Sequence, residues 1–290
     1  DNAVINDGVV SDLTKNQIIT NLSLNTNSEV KLNGNDLEVR GNITNNSQFT
    51  GSGEVILNNS SANQELSGNG AYNNLKLNNG GEIGINGNIN VKGNIINSSQ
   101  LVRLNGNTLN VESDLTNNSQ FTGNGEVVLN GSVNQELKGD GAYENLRFNN
   151  ADGAKVIEST VITGVLSADS GTLTTGTNGN ITMKCTFVNE PNQNDPKTTA
   201  QIGVIASSAN ITAEVTVERC VPKSNRSFRY ISSPVNTSGT INANLQEGAT
   251  SASEDPKPGF GTHITGDNNG NNGFDATSTG NPSMFKWNED

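Results

Sequence analysis

Apolar residues along this chain come in pairs two positions apart, and the pairs recur. Examples are NLSLN (21–25), DLEVR (36–40), EVILN (54–58), NLKLN (74–78), NINVK (88–92), TLNVE (108–112), EVVLN (126–130) and NLRFN (145–149). Alternation with period two puts Leu37 with Val39, Leu75 with Leu77, Ile89 with Val91, Leu109 with Val111 and Leu146 with Phe148 on one face of a short strand. Successive runs start roughly 14 to 20 residues apart, which is solenoid spacing. Between them lie NGN, GSG, GNG, NNGG and NGS, built from residues that turn the chain and tolerate positive φ. No capped segment with a 3.6-residue apolar stripe is present, so helices are not expected.

A longer repeat overlies this beat. DLTNNSQFTGNGEVVLN (114–130) nearly restates NITNNSQFTGSGEVILN (42–58), 72 positions earlier. The match extends to NGNDLEVR (33–40) with NGNTLNVE (105–112), and to NQELSGNGAYNNLKLNN (63–79) with NQELKGDGAYENLRFNN (134–150). The second copy lacks one residue between the equivalents of Ser60 and Asn63. The spacing predicts about four coils, copied once. The expected fold is all-β: a parallel β-helix, or β-solenoid, over residues 1–222. Roughly nine coils at about 4.8 Å each would make a rod on the order of 40 Å long, with Leu over Leu and Val over Val inside.

After residue 150 the beat loosens, although VITGVLS (161–167), GTLTTG (171–176), NITMK (180–184), IGVIAS (202–207) and NITAEVTVERCV (210–221) still read as strands. EPNQNDPK (190–197) reads as a protruding loop. Residues 223–290 are expected to form an irregular β-rich segment or the start of a further module.

Composition fits a narrow core. Only 31% of residues are hydrophobic and 4% aromatic, too few for an ordinary globule of 290 residues but enough for a thin column. The net charge of -12 argues against nucleic acid as a partner and favours divalent cations. No stretch has the length and apolarity of a membrane span. The chain opens DNAVINDG and closes FKWNED, both in mid-pattern, and is expected to be a segment of a larger, processed protein.

Asn58, Asn78, Asn130 and Asn149 each follow a strand run, and are expected to form an amide ladder at one corner of the stack. The competing reading is N-glycosylation, because Asn97-Ser-Ser and Asn130-Gly-Ser fit that acceptor motif.

A catalytic set is hard to assemble. His263 is the one histidine, no GxSxG turn occurs, and two cysteines are too few for a zinc site. Glu54, Glu65, Glu126 and Glu136 recur at matching positions of the two copies, as a duplicated structural feature would. LTTGT (173–177) is isolated, so no regular threonine array is present. A non-enzymatic chain is expected. Tyr72 and Tyr143, at matching repeat positions, are weighed as sugar-stacking platforms against packing on a turn. Cys185 and Cys220 sit in strand-like runs and are expected to form a disulfide; two unrelated buried thiols are the alternative. DNNGNNGFD (267–275) offers oxygen donors from Asp267, Asn269, Asn271 and Asp275, similar to a calcium loop. Asn272 stands where such loops have Gly and no Glu follows at the twelfth position, so the alternative is an Asn/Gly turn. No other cofactor is expected.

VTVERCVPKSNRSFRYISSPV (215–235), GFGTHITG (259–266) and GFDATSTGNPSMFKWN (273–288), preceded by repeats rich in LNGN, FTGSG and NLxLNN, resemble a segment of very large extracellular proteins of Bacteroidota. These are adhesins and surface proteins exported by the type IX secretion system, some linked to gliding motility. The resemblance implies an extracellular, cell-surface location and a stalk or adhesive role. It implies as partners further modules of the same polypeptide, the secretion machinery and extracellular polysaccharide. Cys220 stands where the pattern usually has Tyr, and the pathway's C-terminal sorting domain is not among these residues.

Overall fold

The computed structural model describes residues 1–187, 196–220, 237–245, 264–267, 275–276 and 278–285. The chain divides into two compact units, Asp1–Tyr230 and Ile231–Asp290.

The first unit is a parallel β-solenoid of about nine turns with three strands per turn. The first face stacks Ala3–Ile5, Leu22–Leu24, Ile43–Asn45, Gln64–Ser67, Glu82–Asn86, Leu101–Arg103 and Gln120–Thr122. The second stacks Val10–Asp12, Glu29–Lys31, Gln48–Thr50, Ala71–Tyr72, Ile89–Val91, Thr108–Val111 and Glu126–Leu129. The third stacks Gln17–Ile19, Leu37–Val39, Glu54–Leu57, Asn74–Leu77, Ile95–Asn97, Leu115–Asn117, Gln135–Lys138 and Ala154–Val156. Partners in adjacent turns are about 20 residues apart, as Leu75 opposite Ile95 and Ile95 opposite Leu115 show. Beyond residue 150 the winding continues without a break: Ser159–Thr175 runs as one strand across all three faces.

The apolar runs of the sequence therefore mark strands, about one in each turn but not all on one face. The runs at 36, 54 and 74 lie on the third face, those at 88, 108, 126 and 145 on the second, and the one at 21 on the first. The repeat of about four coils is not a whole number of turns. From Leu37–Val39 to Thr108–Val111 is eleven strands, or three and two-thirds turns. EVIL (54–57) sits on the third face while its counterpart EVVL (126–129) sits on the second. Gln64–Ser67 is on the first face and its counterpart Gln135–Lys138 on the third. One sequence block thus folds equally well on different faces, because each face asks the same of it: a short strand, inward side chains and a tight corner.

The core is the expected column. Leu37, Val39, Leu75, Leu77, Ile89, Val91, Leu109, Val111, Leu146 and Phe148 are all buried. Stacking is aliphatic on aliphatic rather than strictly like on like, with Leu37 on Val55 and Val55 on Leu75. Phe49 stacks on Tyr72 at 5.1 Å between ring centroids, and Phe121 on Tyr143 at 5.6 Å, one pair per copy. Both tyrosines are fully buried, so neither is a platform for sugar. Burial pushes both phenols above their ordinary range, opposed by the amides of Asn45 and Asn117.

Polar side chains also line the interior, matched between copies. Asn45 and Asn117 are fully buried, accept the N–H of Ser47 and Ser119, and donate to the carbonyls of Ala71 and Ala142. Gln64 and Gln135 donate to the Val39 and Val111 carbonyls. Gly70 and Gly141 lie flat on the Asn45 and Asn117 amides, where a Cβ would come within 2.3 and 2.4 Å, so only glycine fits. Asn33-Gly34 and Asn105-Gly106 turn their corners with both residues at positive φ.

In the second unit the described residues form a short helix, Ile241–Leu245, and a parallel pair, Thr265–Asp267 with Asp275–Ala276. Ser283 N–H donates to the Thr265 carbonyl at 2.9 Å.

Candidate functional surface

Whatever this solenoid does at its surface is carried by outward side chains and corners, since the inward ones are consumed by the core. The corner ladder exists, at a different position from the one expected. The residue just before a strand, or its first residue, accepts a backbone N–H from the next turn: Asp36 N–H donates to Asn16, Glu54 N–H to Asp36, Asn94 N–H to Asn74, and Glu136 N–H to Asp114. This satisfies corner N–H groups that no strand partner reaches. Of the four asparagines expected to form the ladder, Asn78 donates to Asn58 at 3.3 Å, while Asn149 accepts from Ser170. Asn97 is fully buried and donates to Asn117 at 2.9 Å, which overturns glycosylation there in the folded chain.

The four repeated carboxylates do not converge. Glu65 is on the first face, Glu126 on the second, and Glu54 and Glu136 on the third. Glu136 pairs with Lys138 at 2.7 Å, Glu126 with Arg147 at 3.5 Å, and Glu65 accepts from Asn86. Partial burial pushes the Glu54 carboxyl up, with Lys76 opposing and Asp36 adding to it. Further charge pairs join adjacent turns. Arg103 donates twice to Glu82, at 2.8 and 2.9 Å, and holds its carboxyl below the ordinary range. Arg147 also meets Asp169 at 2.6 Å. Such half-exposed pairs contribute about 0–1 kcal/mol each.

A shallow cleft of about 270 Å³ opens on the second face. Thr108, Glu126, Asn145 and Val165 line it from successive turns, with Asn124 and Ser167 beside them. A register shift between Tyr143 and Asn145 adds a residue to the facing strand here.

Cys185 and Cys220 form the expected disulfide, with 5.7 Å between Cα atoms. Among the described residues, no group of three or more His, Cys, Asp or Glu could hold a metal ion. The calcium candidates lie outside that statement. The backbones of Asp267 and Asp275 belong to the short parallel pair, but their side chains, and Asn269 and Asn271 entirely, lie outside the described residues, as does His263. No helix among the described residues is long and apolar enough to cross a membrane.

The chain matches no protein-family model, no curated protein and no solved structure. What fold and surface define is a class: a three-faced, parallel β-solenoid with a bonded interior and a scattered, charge-paired exterior.

Proposed function

We propose that this chain is a non-enzymatic structural module, a solenoid stalk of a secreted bacterial surface protein that spaces or presents adhesive elements. One observation carries the reading: the two copies keep most of their inside, while outside some residues persist, as Glu54/Glu126 and Glu65/Glu136 do, and others change charge. Val39/Val111, Asn45/Asn117, Phe49/Phe121, Leu66/Leu137 and Tyr72/Tyr143 are identical and buried. Outward positions change charge, as Arg40/Glu112, Asn42/Asp114, Ser67/Lys138 and Asn73/Glu144 do. A duplicated ligand site would keep its surface; a duplicated spacer needs only its core.

The partners that go with this role are further modules of the same polypeptide, the type IX secretion machinery and extracellular polysaccharide, at the cell surface. A calcium ion at Asp267, Asn269, Asn271 and Asp275 belongs to the same proposal. The purified chain is expected to leave every polysaccharide in a broad glycan screen uncut, and turnover of any one of them would overturn the reading. The alternative, a carbohydrate-active or carbohydrate-binding solenoid, has the cleft beside Glu126 in its favour. It predicts glycan-array binding that Glu126→Gln weakens.

A further inference from the structure

The Cys185–Cys220 bridge encloses one complete turn. Chain leaves the first face after Asn180–Met183, makes the antiparallel pair Cys185–Phe187 with Pro196–Thr199, and re-enters the stack as Gln201–Ile205. It continues through Ala209–Ile211 on the third face to Val215–Val217 on the first, and reaches Cys220. Met183 lies directly opposite Val217, so the bridge crosses a single inter-turn step just past that pairing.

This turn is weakly held on several counts. Its entry carries an insertion, with partners 38 residues apart (Leu173 opposite Ile211) where other turns have about 20. Longer loops cost more entropy to close. Its inward positions are small or half-covered: Ala209, Ile211, Ala213, Val215 and Val217 are only partly buried, and Ile202 and Ile205, opposite buried Leu166 and Ala168, are 48% and 39% exposed. Its pairing with the turn below shifts register between Leu166 and Ala168. Among the described residues no strand covers its outer edge. Against this stand the bridge, the Lys184–Glu218 ion pair at 2.9 Å, and the Cys185 N–H donated to Glu218 at 3.2 Å. All three clamp the same step.

We propose that the bridge is a redox latch on the last turn. Oxidised, it holds the turn closed on the stack. Reduced, the turn from Gln201 to Val217 opens as a unit while the turns below stay folded. The reductant is a dithiol: one of its thiolates attacks a bridge sulfur to give a mixed disulfide, and its second thiol closes the reductant's own disulfide. Two electrons and two protons end on Cys185 and Cys220. Turns of a solenoid touch only their neighbours, so loss of one end does not require loss of the rest. The inference needs only the fold and holds whether or not the solenoid is a stalk.

Hydrogen–deuterium exchange of the full chain, with and without dithiol, tests it. A bridge enclosing this many residues restrains opening by about 10²–10³-fold. Protection of amides in 201–217 is expected to fall by about that factor on reduction, with amides in 22–175 unchanged. Unchanged protection in 201–217 would overturn the latch. So would loss spread through 22–175, which would make the bridge a global staple. The double variant Cys185→Ser/Cys220→Ser is expected to fold and to exchange like the reduced chain under all redox conditions; a variant that cannot fold would equally refute a local latch.

Discussion

Asn117→Ala is the most telling perturbation of the interior. Asn117 is wholly buried, and its amide serves three groups: it accepts from Asn97 Nδ2 at 2.9 Å and from Ser119 N–H at 3.1 Å, and donates to the Ala142 carbonyl at 3.3 Å. Truncation strands the Asn97 donor inside the column at about 1–3 kcal/mol. The Ser119 N–H is nearer the surface and can turn to water, adding about 0.5–1.5 kcal/mol, and the long Ala142 contact adds little. The expected loss is roughly 2–4 kcal/mol, read from urea unfolding followed by far-ultraviolet circular dichroism. The decisive measurement is the double-mutant cycle with Asn97→Ala. Removing Asn97 first removes the donor that Asn117→Ala would orphan, so the double variant should lose less than the sum of the singles, by about 1–2 kcal/mol. Strict additivity would mean that the two amides do not depend on each other, and the idea of a bonded interior ladder would fail there.

Other expectations follow from the same geometry. The buried phenols of Tyr72 and Tyr143 keep their protons in the folded chain while an unfolded tyrosine loses its own near pH 10, so stability falls as pH rises past about 10, by roughly 1.4 kcal/mol per pH unit for each phenol. Urea midpoints across that range should show this slope, and the double variant Tyr72→Phe/Tyr143→Phe should lack it. Arg103→Met should destabilise the chain only slightly at neutral pH, because the pair is solvent-screened. Because the Glu82 carboxyl is lowered in the folded state, the difference from wild type should be fully present above about pH 4.3 and vanish as pH falls through the lowered value. A second tandem copy of residues 33–104, inserted after Leu104, should fold and lengthen the solenoid by about 17–18 Å without widening it, as measured by small-angle scattering. An unfolded product would show that the faces are not interchangeable.

The parts of this fold that the sequence announces are those with two inward apolar residues. Leu37 with Val39, or Leu75 with Leu77, gives an unmistakable period of two. Strands with one inward side chain give no such pair: Gln48–Thr50 turns in Phe49 alone, and Ala71–Tyr72 only Tyr72. Strands whose inward residues are polar break the pattern outright, as Asn45 does in Ile43–Asn45 and Gln64 in Gln64–Ser67. Part of the first face is silent for these reasons, although Leu22 with Leu24 and Ile83 with Ile85 do pair there, and the conspicuous runs fall at about one per turn, so they count turns without locating all three strands. Asn45, Gln64 and their counterparts carry one usable signal, exact recurrence between copies, which Gly70 and Gly141 share where they pack on Asn45 and Asn117. Surface chemistry is less legible still. Outward residues obey no stacking rule beyond avoiding like charge, so neither the Arg103–Glu82 pair nor the cleft at Glu126 leaves a periodic trace.

The mismatch between repeat and turn bears on what the duplication can be for. A block of eleven strands on a three-strand turn cannot bring its second copy back onto the same face. Gln48, Thr50 and Glu54 therefore look out from the second and third faces, while Gln120, Thr122 and Glu126 look out from the first and second, about 17–18 Å further along. A solenoid under selection for one flat, regular binding array would be held to whole turns, since any fraction scatters the array around the axis. A solenoid whose task is length is under no such constraint: any whole number of strands extends it equally. The eleven-strand step argues against a repeated binding array and fits the spacer role proposed above, in which any chemistry sits in single places rather than in the repeat.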